Sequence, residues 1–112
     1  LQDNSVFRLF GDGLQTRDFV YVKDVVAAFK LAEDNDQMVG EVFNVATGTS
    51  RTLLDAIKGL ECASGKKLML KKEPERLGDI KYSEADISKL TSMGYTPMYD
   101  FNAGAAEYWD SL

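Results

Sequence analysis

The sequence predicts a small α/β domain in which short strands are interleaved with about four helices. Three observations favour this fold class. Runs of aromatic and β-branched residues alternate with runs of helical period, glycine-containing turns separate them, and 112 residues suit a single domain. Neither an internal repeat nor a low-complexity segment interrupts this pattern. We therefore treat residues 1–112 as one domain.

The first half of the chain contains three predicted strands and one helix. Residues 6–10 form a strand that enters a Gly-Asp-Gly turn at residues 11–13, residues 18–22 form a second extended piece, and residues 41–45 form a third strand. The period changes at Lys23, where the helix begins. Its apolar face is predicted to consist of Val22, Val25, Val26, Phe29 and Ala32.

A second helix is predicted from about Thr52 to Ser64. Thr49 or Ser50 is a plausible N-terminal cap, and Gly65 is a suitable stop. The glycine inside this helix costs about 1 kcal/mol relative to alanine, so the helix depends on its packing. Its buried stripe is predicted to be Leu53, Ile57 and Leu60.

The last third of the chain is predicted to contain one more strand and two more helices. Residues 67–71 alternate enough to form a fourth strand at a sheet edge, where its lysines discourage unwanted pairing. After a polar loop, Asp86 caps a short helix that runs through Met93 and ends at Gly94. A final helix follows, with an apolar face of Phe101, Ala105, Tyr108, Trp109 and Leu112.

Composition argues against several functional classes. A formal net charge of −5 and a pI near 4.6 disfavour broad binding to nucleic acid or to anionic membranes. The chain has no histidine, and its one cysteine, Cys62, cannot form an internal disulfide or a multi-thiolate metal site. Because no membrane span and no signal peptide are recognisable, we expect a cytoplasmic protein. The first residue is leucine, which suggests that the numbering begins inside a longer polypeptide.

Three ordered segments carry a resemblance to a known family. They read "GDGLQTRDFVYVKDVVAA", "EVFNVATGTSRTLLD" and "ERLGDIKYSEADISKLTSMGYTP". In order and spacing they resemble the C-terminal substrate-binding portion of the extended short-chain dehydrogenase/reductases that act on nucleotide sugars. Nucleotide-sugar 4-epimerases and 4,6-dehydratases are the nearest members. The resemblance implies a small substrate-binding domain without the Rossmann half.

The resemblance also implies a binding role for seven residues. Arg17 and Arg76 match arginines that contact the diphosphate of the nucleotide sugar, and Asp79 matches an aspartate that contacts the nucleotide ribose. Segments near the nucleotide in the family correspond here to Arg8, Leu9, Phe10 and Asn44. Planar guanidinium groups suit a pyrophosphate independently of any resemblance, because they donate paired, charge-assisted hydrogen bonds.

The local sequence leaves a structural interpretation open for each of these side chains. Arg17 could form an ion pair with Asp18 or Asp12, and Arg76 could be a solvated charge in an acidic loop. Asp79 could be a turn residue, and asparagines at strand ends often bond backbone. One departure from the family pattern is Leu77, which stands where many relatives have proline, so this loop is expected to be less rigid.

Two motifs of the whole family are missing from the chain. Extended members carry a G-x-x-G-x-x-G phosphate loop and a Y-x-x-x-K catalytic pair, and neither occurs in this sequence. We therefore expect no catalytic residue, no metal ligand and no bound NAD in this chain, with NAD used by the parent enzyme. The implied partners are a missing N-terminal Rossmann domain and a UDP-, dTDP- or GDP-linked sugar.

The leading interpretation is thus the substrate-binding portion of a UDP-glucose 4-epimerase-like enzyme, inactive alone. The alternatives are part of a nucleotide-sugar 4,6-dehydratase and a non-catalytic interaction module that has kept the fold. The sequence does not identify the nucleotide base or the sugar. It also leaves the oligomeric state open, and a homo-oligomer is one of the alternatives.

Overall fold

The computed structural model describes residues 6–112 and confirms the small α/β fold. Four short strands alternate with four α-helices and one short 3₁₀ helix. The strands are β1 (Phe7–Phe10), β2 (Thr16–Arg17), β3 (Arg51–Thr52) and β4 (Leu70–Glu73). The α-helices are α1 (Val22–Glu33), α2 (Leu53–Ser64), α3 (Ser88–Thr91) and α4 (Phe101–Asp110), and the 3₁₀ helix is Asp36–Met38. Within the described residues, no helix is both long and apolar enough to cross a bilayer.

The strands form two separate two-stranded sheets. β1 and β4 pair in parallel, with Phe10 opposite Glu73, whereas β2 and β3 pair antiparallel, with Arg17 opposite Arg51. The predicted fourth strand is therefore present but lies about three residues later than expected. The prediction of a strand at residues 18–22 was wrong, because the pairing residues are Thr16–Arg17 and Val22 already belongs to α1.

The predicted third strand at residues 41–45 was also wrong. This segment has no regular structure, and the backbone amides of residues 42–46 donate no hydrogen bond to any part of the chain that the structure describes. Its sequence favours a strand, but a strand forms only where another one supplies the complementary amides and carbonyls. The described residues place no such strand beside it.

Helices α2 and α4 pack closely against each other. A Cβ atom on Gly59 would lie 2.6 Å from the Phe101 ring, so this glycine allows the close approach of the two helices. The hydroxyl of Thr52 accepts from the Asp55 amide at 3.1 Å, which makes Thr52 the N-terminal cap in place of the predicted Thr49 or Ser50. Gly65 ends α2 in the left-handed region, as predicted.

Helix α1 buries different residues from those predicted. Val22, Val26 and Phe29 of the expected apolar face are 60%, 45% and 71% exposed, whereas Asp24 is 1% exposed. The Asp24 carboxylate accepts hydrogen bonds from the Met98 and Tyr99 amides, at 2.9 and 3.1 Å. Asp24 thus ties α1 to the segment that leads into α4. Of the predicted apolar face, Val25 and Ala32 are partly buried, while the other three side chains face solvent.

A small cluster beside α1 provides the main apolar core. It comprises Ala28, Met38, Leu90 and Tyr95. The Tyr95 hydroxyl donates to the Ala46 carbonyl at 3.1 Å, and burial raises the pKa of Tyr95. The helix predicted from Asp86 through Met93 is shorter, because α3 spans Ser88–Thr91 and its N-cap residue is Ile87, without a side-chain cap. The Asp86 carboxylate, just before the helix, accepts from the Ser88 amide at 2.9 Å, and this bond lowers the pKa of Asp86.

The predicted apolar face of α4 is only partly buried. Ala105 is 8% exposed, whereas Tyr108 and Leu112 are 54% and 59% exposed. The prediction that Tyr108 belongs to the core was therefore wrong for this chain. Where α4 meets α2, its Phe101 ring lies against Gly59, and Gly104 of α4 lies against the Tyr21 side chain.

Candidate functional site

The glycine turn after β1 is a tightly constrained element. Gly11 and Gly13 have φ of 84° and 75°, a region that favours glycine. A Cβ atom on Gly13 would lie 2.6 Å from the Leu54 side chain, so only glycine fits there. The Asp12 carboxylate accepts from the Leu14 amide at 2.9 Å, and these contacts fix the path of the chain into β2.

The loop of residues 74–82 lies beside this turn and is held at both ends. The Gly11 amide donates to the Glu73 carbonyl at 3.0 Å before the loop. At its other end the Thr16 amide donates to the Lys81 carbonyl at 2.7 Å, and the Ser83 amide donates to the Thr16 carbonyl. These three bonds anchor the loop that carries Leu77 in place of a proline.

Turn and loop together enclose a small cavity of about 100 Å³. Its walls are mixed in character and include three carboxylates and one ammonium group. The lining residues are Phe10, Gly11, Asp12, Leu14, Gln15, Glu75, Asp79, Ile80, Lys81 and Tyr82. Because sites for whole small molecules usually measure about 300–1,000 Å³, this cavity can enclose only part of such a ligand.

Arg17 and Asp79 form an ion pair at the edge of this cavity. Arg17 Nη2 donates to Asp79 Oδ1 at 3.0 Å, and Nη1 donates to the Thr16 carbonyl at 2.7 Å. The two side chains are 33% and 27% exposed, so solvent screens the pair and its contribution is below about 1 kcal/mol. The pair joins β2 to the loop 74–82 across 62 residues of sequence.

The partner of Arg17 is therefore neither Asp18 nor Asp12, the two local candidates. Asp18 instead accepts from the Thr47 amide and hydroxyl, at 2.9 and 2.6 Å, and from the Gly48 amide at 2.8 Å. This carboxylate holds the loop before β3 against β2 and is not available to Arg17.

Arg76 is held by an aromatic ring. Its Cζ lies 3.8 Å from the centre of the Phe10 ring, within the range of a cation–π contact. The side chain is otherwise exposed, and the neighbouring Glu73 pairs with Lys71 at 3.6 Å. Because Phe10 lines the cavity, Arg76 lies at its edge, as Arg17 does through Asp79.

Of the seven sequence-predicted residues, only Phe10 and Asp79 line the cavity. Arg17 and Arg76 contact these two lining residues, and the other three predicted residues lie elsewhere. Leu9 is fully buried and belongs to the core, and Arg8 is exposed on β1 outside the cavity lining. Asn44 is exposed and donates from Nδ2 to the Asp86 carbonyl at 3.2 Å, which is the backbone role left open above. The structure thus brings together Arg17, Arg76, Asp79 and Phe10.

Sequence reasoning missed other residues that shape the cavity. Gln15 donates from Nε2 to the Phe10 carbonyl at 3.0 Å, which fixes the turn from inside. Lys81 and Tyr82 belong to the lining, and Tyr82 is 76% exposed. Their position immediately after Asp79 was the available signal, because a loop that brings Asp79 to the cavity also brings its neighbours.

The residues present do not fit a dinucleotide cofactor. A pyrophosphate cradle needs a glycine loop opening onto free amides at a helix N-terminus. In the described part of the chain, α1 follows Tyr21 without such a loop, the start of α2 is capped by Thr52, and the start of α4 is capped by the Asp100 carboxylate. Residues 6–112 also contain no group of three or more potential metal ligands.

Comparison with known proteins identifies relatives along almost the whole chain. The sequence profile of the NAD dependent epimerase/dehydratase family matches residues 1–46. The ADP-L-glycero-D-manno-heptose-6-epimerase of Fusobacterium nucleatum is 38% identical over 110 residues, which cover 88% of this chain and 33% of that protein. The UDP-glucose 4-epimerase of Mycolicibacterium smegmatis is 34% identical over 89% of this chain and 32% of its own length.

Solved structures give the same picture. UDP-glucuronic acid 4-epimerase from Bacillus cereus, in complex with UDP-glucuronic acid and NAD, superposes with a TM-score of 0.85 at 32% identity over 97% of this chain and 35% of that one. UDP-glucose 4-epimerase from Thermotoga maritima, with UDP-glucose, gives 0.82 at 33% identity over 97% and 36%. The chain spans about a third of the length of these relatives and corresponds to the C-terminal part of their fold. It belongs to the NAD dependent epimerase/dehydratase family.

Proposed function

We propose that this chain is the part of a nucleotide-sugar epimerase that holds the nucleoside diphosphate of the substrate. The observation that carries the proposal is that Arg17 and Arg76 contact two lining residues of one cavity, Asp79 and Phe10, although β2 and the loop that carries Asp79 are 62 residues apart. Two guanidinium groups can share the charge of two phosphoryl groups, and a carboxylate can accept from a ribose hydroxyl.

The relatives support the class of ligand. The B. cereus and T. maritima structures contain UDP-glucuronic acid and UDP-glucose, and both proteins are UDP-sugar 4-epimerases. We expect the same class of ligand here, a nucleoside diphosphate joined to a sugar. In an epimerase, such binding orients the sugar for oxidation and re-reduction by NAD, and this chain contributes orientation without hydride or proton transfer.

A further part of the proposal concerns the partner of this chain. The exposed apolar residues of α1 and the unpaired segment 41–45 form one docking surface, and its occupant is the NAD-binding portion that the relatives carry in addition to this region. Three facts support this: the chain spans about a third of its relatives, five large apolar side chains stand exposed between residues 22 and 42, and the amides of residues 42–46 are unused within the described residues. The five are Val22, Val26, Phe29, Val39 and Val42.

The ligand proposal is tested by calorimetric or NMR titration with UDP at millimolar concentration. Arg17→Ala and Arg76→Ala each delete a hydrogen bond to a charged group worth about 1.5–3 kcal/mol, so each should weaken binding roughly tenfold to a hundredfold. Arg51→Ala is the matched control, since Arg51 lies outside the cavity with its Cζ 5.9 Å from the Phe101 ring. The Arg51→Ala variant should bind UDP with the same affinity as the unaltered chain.

The contradicting result is equally specific. If both cavity variants titrate like the unaltered chain, or if uridine binds as well as UDP, the diphosphate does not contact these arginines. A non-catalytic interaction module then replaces the proposed function. A dehydratase would bind the same diphosphate, so only the reaction of the whole enzyme separates it from an epimerase.

A further inference from the structure

The two arginines of the cavity are held in place by different kinds of contact. Arg17 uses both terminal nitrogens in hydrogen bonds, one to the Thr16 carbonyl and one to the Asp79 carboxylate. The Arg76 carbonyl accepts from the Asp79 amide at 3.2 Å. The Arg76 guanidinium donates no hydrogen bond to any residue between 6 and 112, and its positioning contact is the face of the Phe10 ring, 3.8 Å away. The five N–H groups of a guanidinium lie in its plane, so a contact through its face occupies none of them.

The position of the Phe10 ring is itself fixed by the backbone around it. Phe10 is the last residue of β1 and pairs in register with Glu73, from which the loop carrying Arg76 departs. Its carbonyl accepts from Gln15 Nε2 at 3.0 Å, and the next amide, of Gly11, donates to the Glu73 carbonyl at 3.0 Å. The ring therefore stands at a defined point between the cavity and the loop.

From this arrangement we infer that Phe10 is a positioning residue for Arg76. Its ring holds the guanidinium at the cavity edge with every N–H free for an incoming anion. This inference rests on the proposed function, because the anion is the diphosphate of the substrate. It assigns a different support to each arginine, while both donate to the diphosphate: an aromatic face holds Arg76, whereas a backbone carbonyl and a carboxylate hold Arg17.

Three carboxylates in the cavity make such positioning necessary. Asp12, Glu75 and Asp79 all belong to the lining. An unrestrained Arg76 could pair with Glu75 beside it, and it would then present fewer donors to a ligand. The contact with Phe10 keeps the cation close to the cavity without neutralising it.

Inorganic pyrophosphate is the probe that isolates this role. It carries the charge of the diphosphate but has no base, so a loss of affinity cannot arise from contacts between Phe10 and the base. Phe10→Leu should bind pyrophosphate about two- to fivefold more weakly, the factor that corresponds to an exposed cation–π contact. Phe10→Tyr retains an aromatic face and should restore the affinity.

A second pair in the same chain supplies the matched control. Lys89 belongs to α3, and its Nζ lies 4.7 Å from the centre of the Phe43 ring. Neither residue lines the cavity. Phe43→Leu removes an aromatic ring from a cation–π contact of the same kind and should leave pyrophosphate binding unchanged. In NMR spectra, the Arg76 side-chain protons should be shifted upfield by the Phe10 ring, and this shift should vanish in Phe10→Leu and persist in Phe43→Leu.

The decisive step is a double-mutant cycle. In an Arg76→Ala background, Phe10→Leu should have no further effect on pyrophosphate affinity. The inference is overturned if Phe10→Leu binds pyrophosphate like the unaltered chain, or if its effect persists without Arg76. That failure differs from failure of the proposed function, in which the variants of Arg17 and Arg76 themselves bind UDP normally.

Discussion

Helices α1 and α2 have the same length of 12 residues but very different surroundings. Helix α2 buries Ala56 and Ile57, at 3% and 4% exposure, and packs against α4. Helix α1 was predicted to bury an equally clear apolar stripe, yet Val26 and Phe29 of that stripe are 45% and 71% exposed. One pattern therefore has its partner within the chain, and the other does not.

An amphipathic pattern therefore predicts an apolar face, but the tertiary contacts of the helix decide how much of that face is buried. The chain exposes 7752 Å², whereas a compact folded protein of this mass exposes about 6,100 Å². This excess and the unpaired segment 41–45 agree with the exposed face of α1. We thus distinguish the α2–α4 region, where α2 buries Ala56 and Ile57, from the region of α1 and residues 34–46, where Ala28 and Met38 belong to the core but the outer apolar side chains are exposed.

The first prediction contrasts one apolar residue from each helix and should show the greatest difference. Ile57→Ala leaves a void between α2 and its neighbours and should lower the free energy of unfolding by about 2–5 kcal/mol. Phe29→Ala removes a larger side chain but one that is mostly in solvent, so the change should stay within about 0.5 kcal/mol. Urea unfolding of both variants measures this. Equal losses would mean that α1 is packed in solution and that the comparison is wrong.

The second prediction concerns the link between the two regions. Asp24→Ala leaves the Met98 and Tyr99 amides without their acceptor, and should lower the free energy of unfolding by about 1.5–3 kcal/mol. Asp34→Ala, at the exposed end of the same helix, is the control and should change it by less than about 0.5 kcal/mol. If the two variants are equally stable in urea, Asp24 does not tie α1 to the α4 region.

A third prediction addresses self-association. The exposed stripe of α1 should make the chain associate as its concentration rises, because it is a contiguous apolar surface without a cover. Phe29→Lys should shift sedimentation toward the monomer, whereas Leu112→Lys, at an apolar residue that is 59% exposed at the C-terminus, should not. If Phe29→Lys leaves self-association unchanged, the surface through which the chain associates is not the exposed stripe of α1.

The last and weakest effect is a pH dependence of the ion pair between α1 and α4. Lys23 on α1 donates to the Glu107 carboxylate on α4, and this bond lowers the pKa of Glu107 below its ordinary 4.5 and raises that of Lys23 above 10.5. The contribution of Glu107 to the free energy of unfolding is therefore fully present above pH 4.5, and it is lost as the pH falls through the lowered pKa of Glu107. Glu107→Gln should narrow the difference in urea midpoint between pH 6 and pH 3. An unchanged difference would contradict this assignment.

Local elements of the fold were predictable because their signals are local. β1 with its glycine turn and α2 with its Gly65 stop both follow from residues within a few positions of one another. Segment 41–45 was mispredicted because strand formation depends on a distant partner. The burial of Asp24 escaped prediction for the same reason, since its donors lie 74 and 75 residues away.

The candidate site was predictable only as a set of residues. The resemblance singled out Arg17, Arg76 and Asp79, and the structure brings them to one cavity. Their mutual contacts were not predictable, because the pairing of Arg17 with Asp79 depends on how β2 and the loop meet. Leu9 illustrates the converse, since membership of a strand near the site says nothing about which of its side chains the core buries.

The most direct test of the account is a map of amide shift changes when UDP is titrated into the ¹⁵N-labelled chain. We predict that the shifts concentrate at the cavity, on amides such as Gly11, Asp79 and Ile80, and that the amides of Val26 and Phe29 on α1 stay unchanged. Uridine at the same concentration should produce much smaller changes. Shifts that are centred on α1, or that are equal for uridine and UDP, would contradict the assignment of this cavity to the diphosphate.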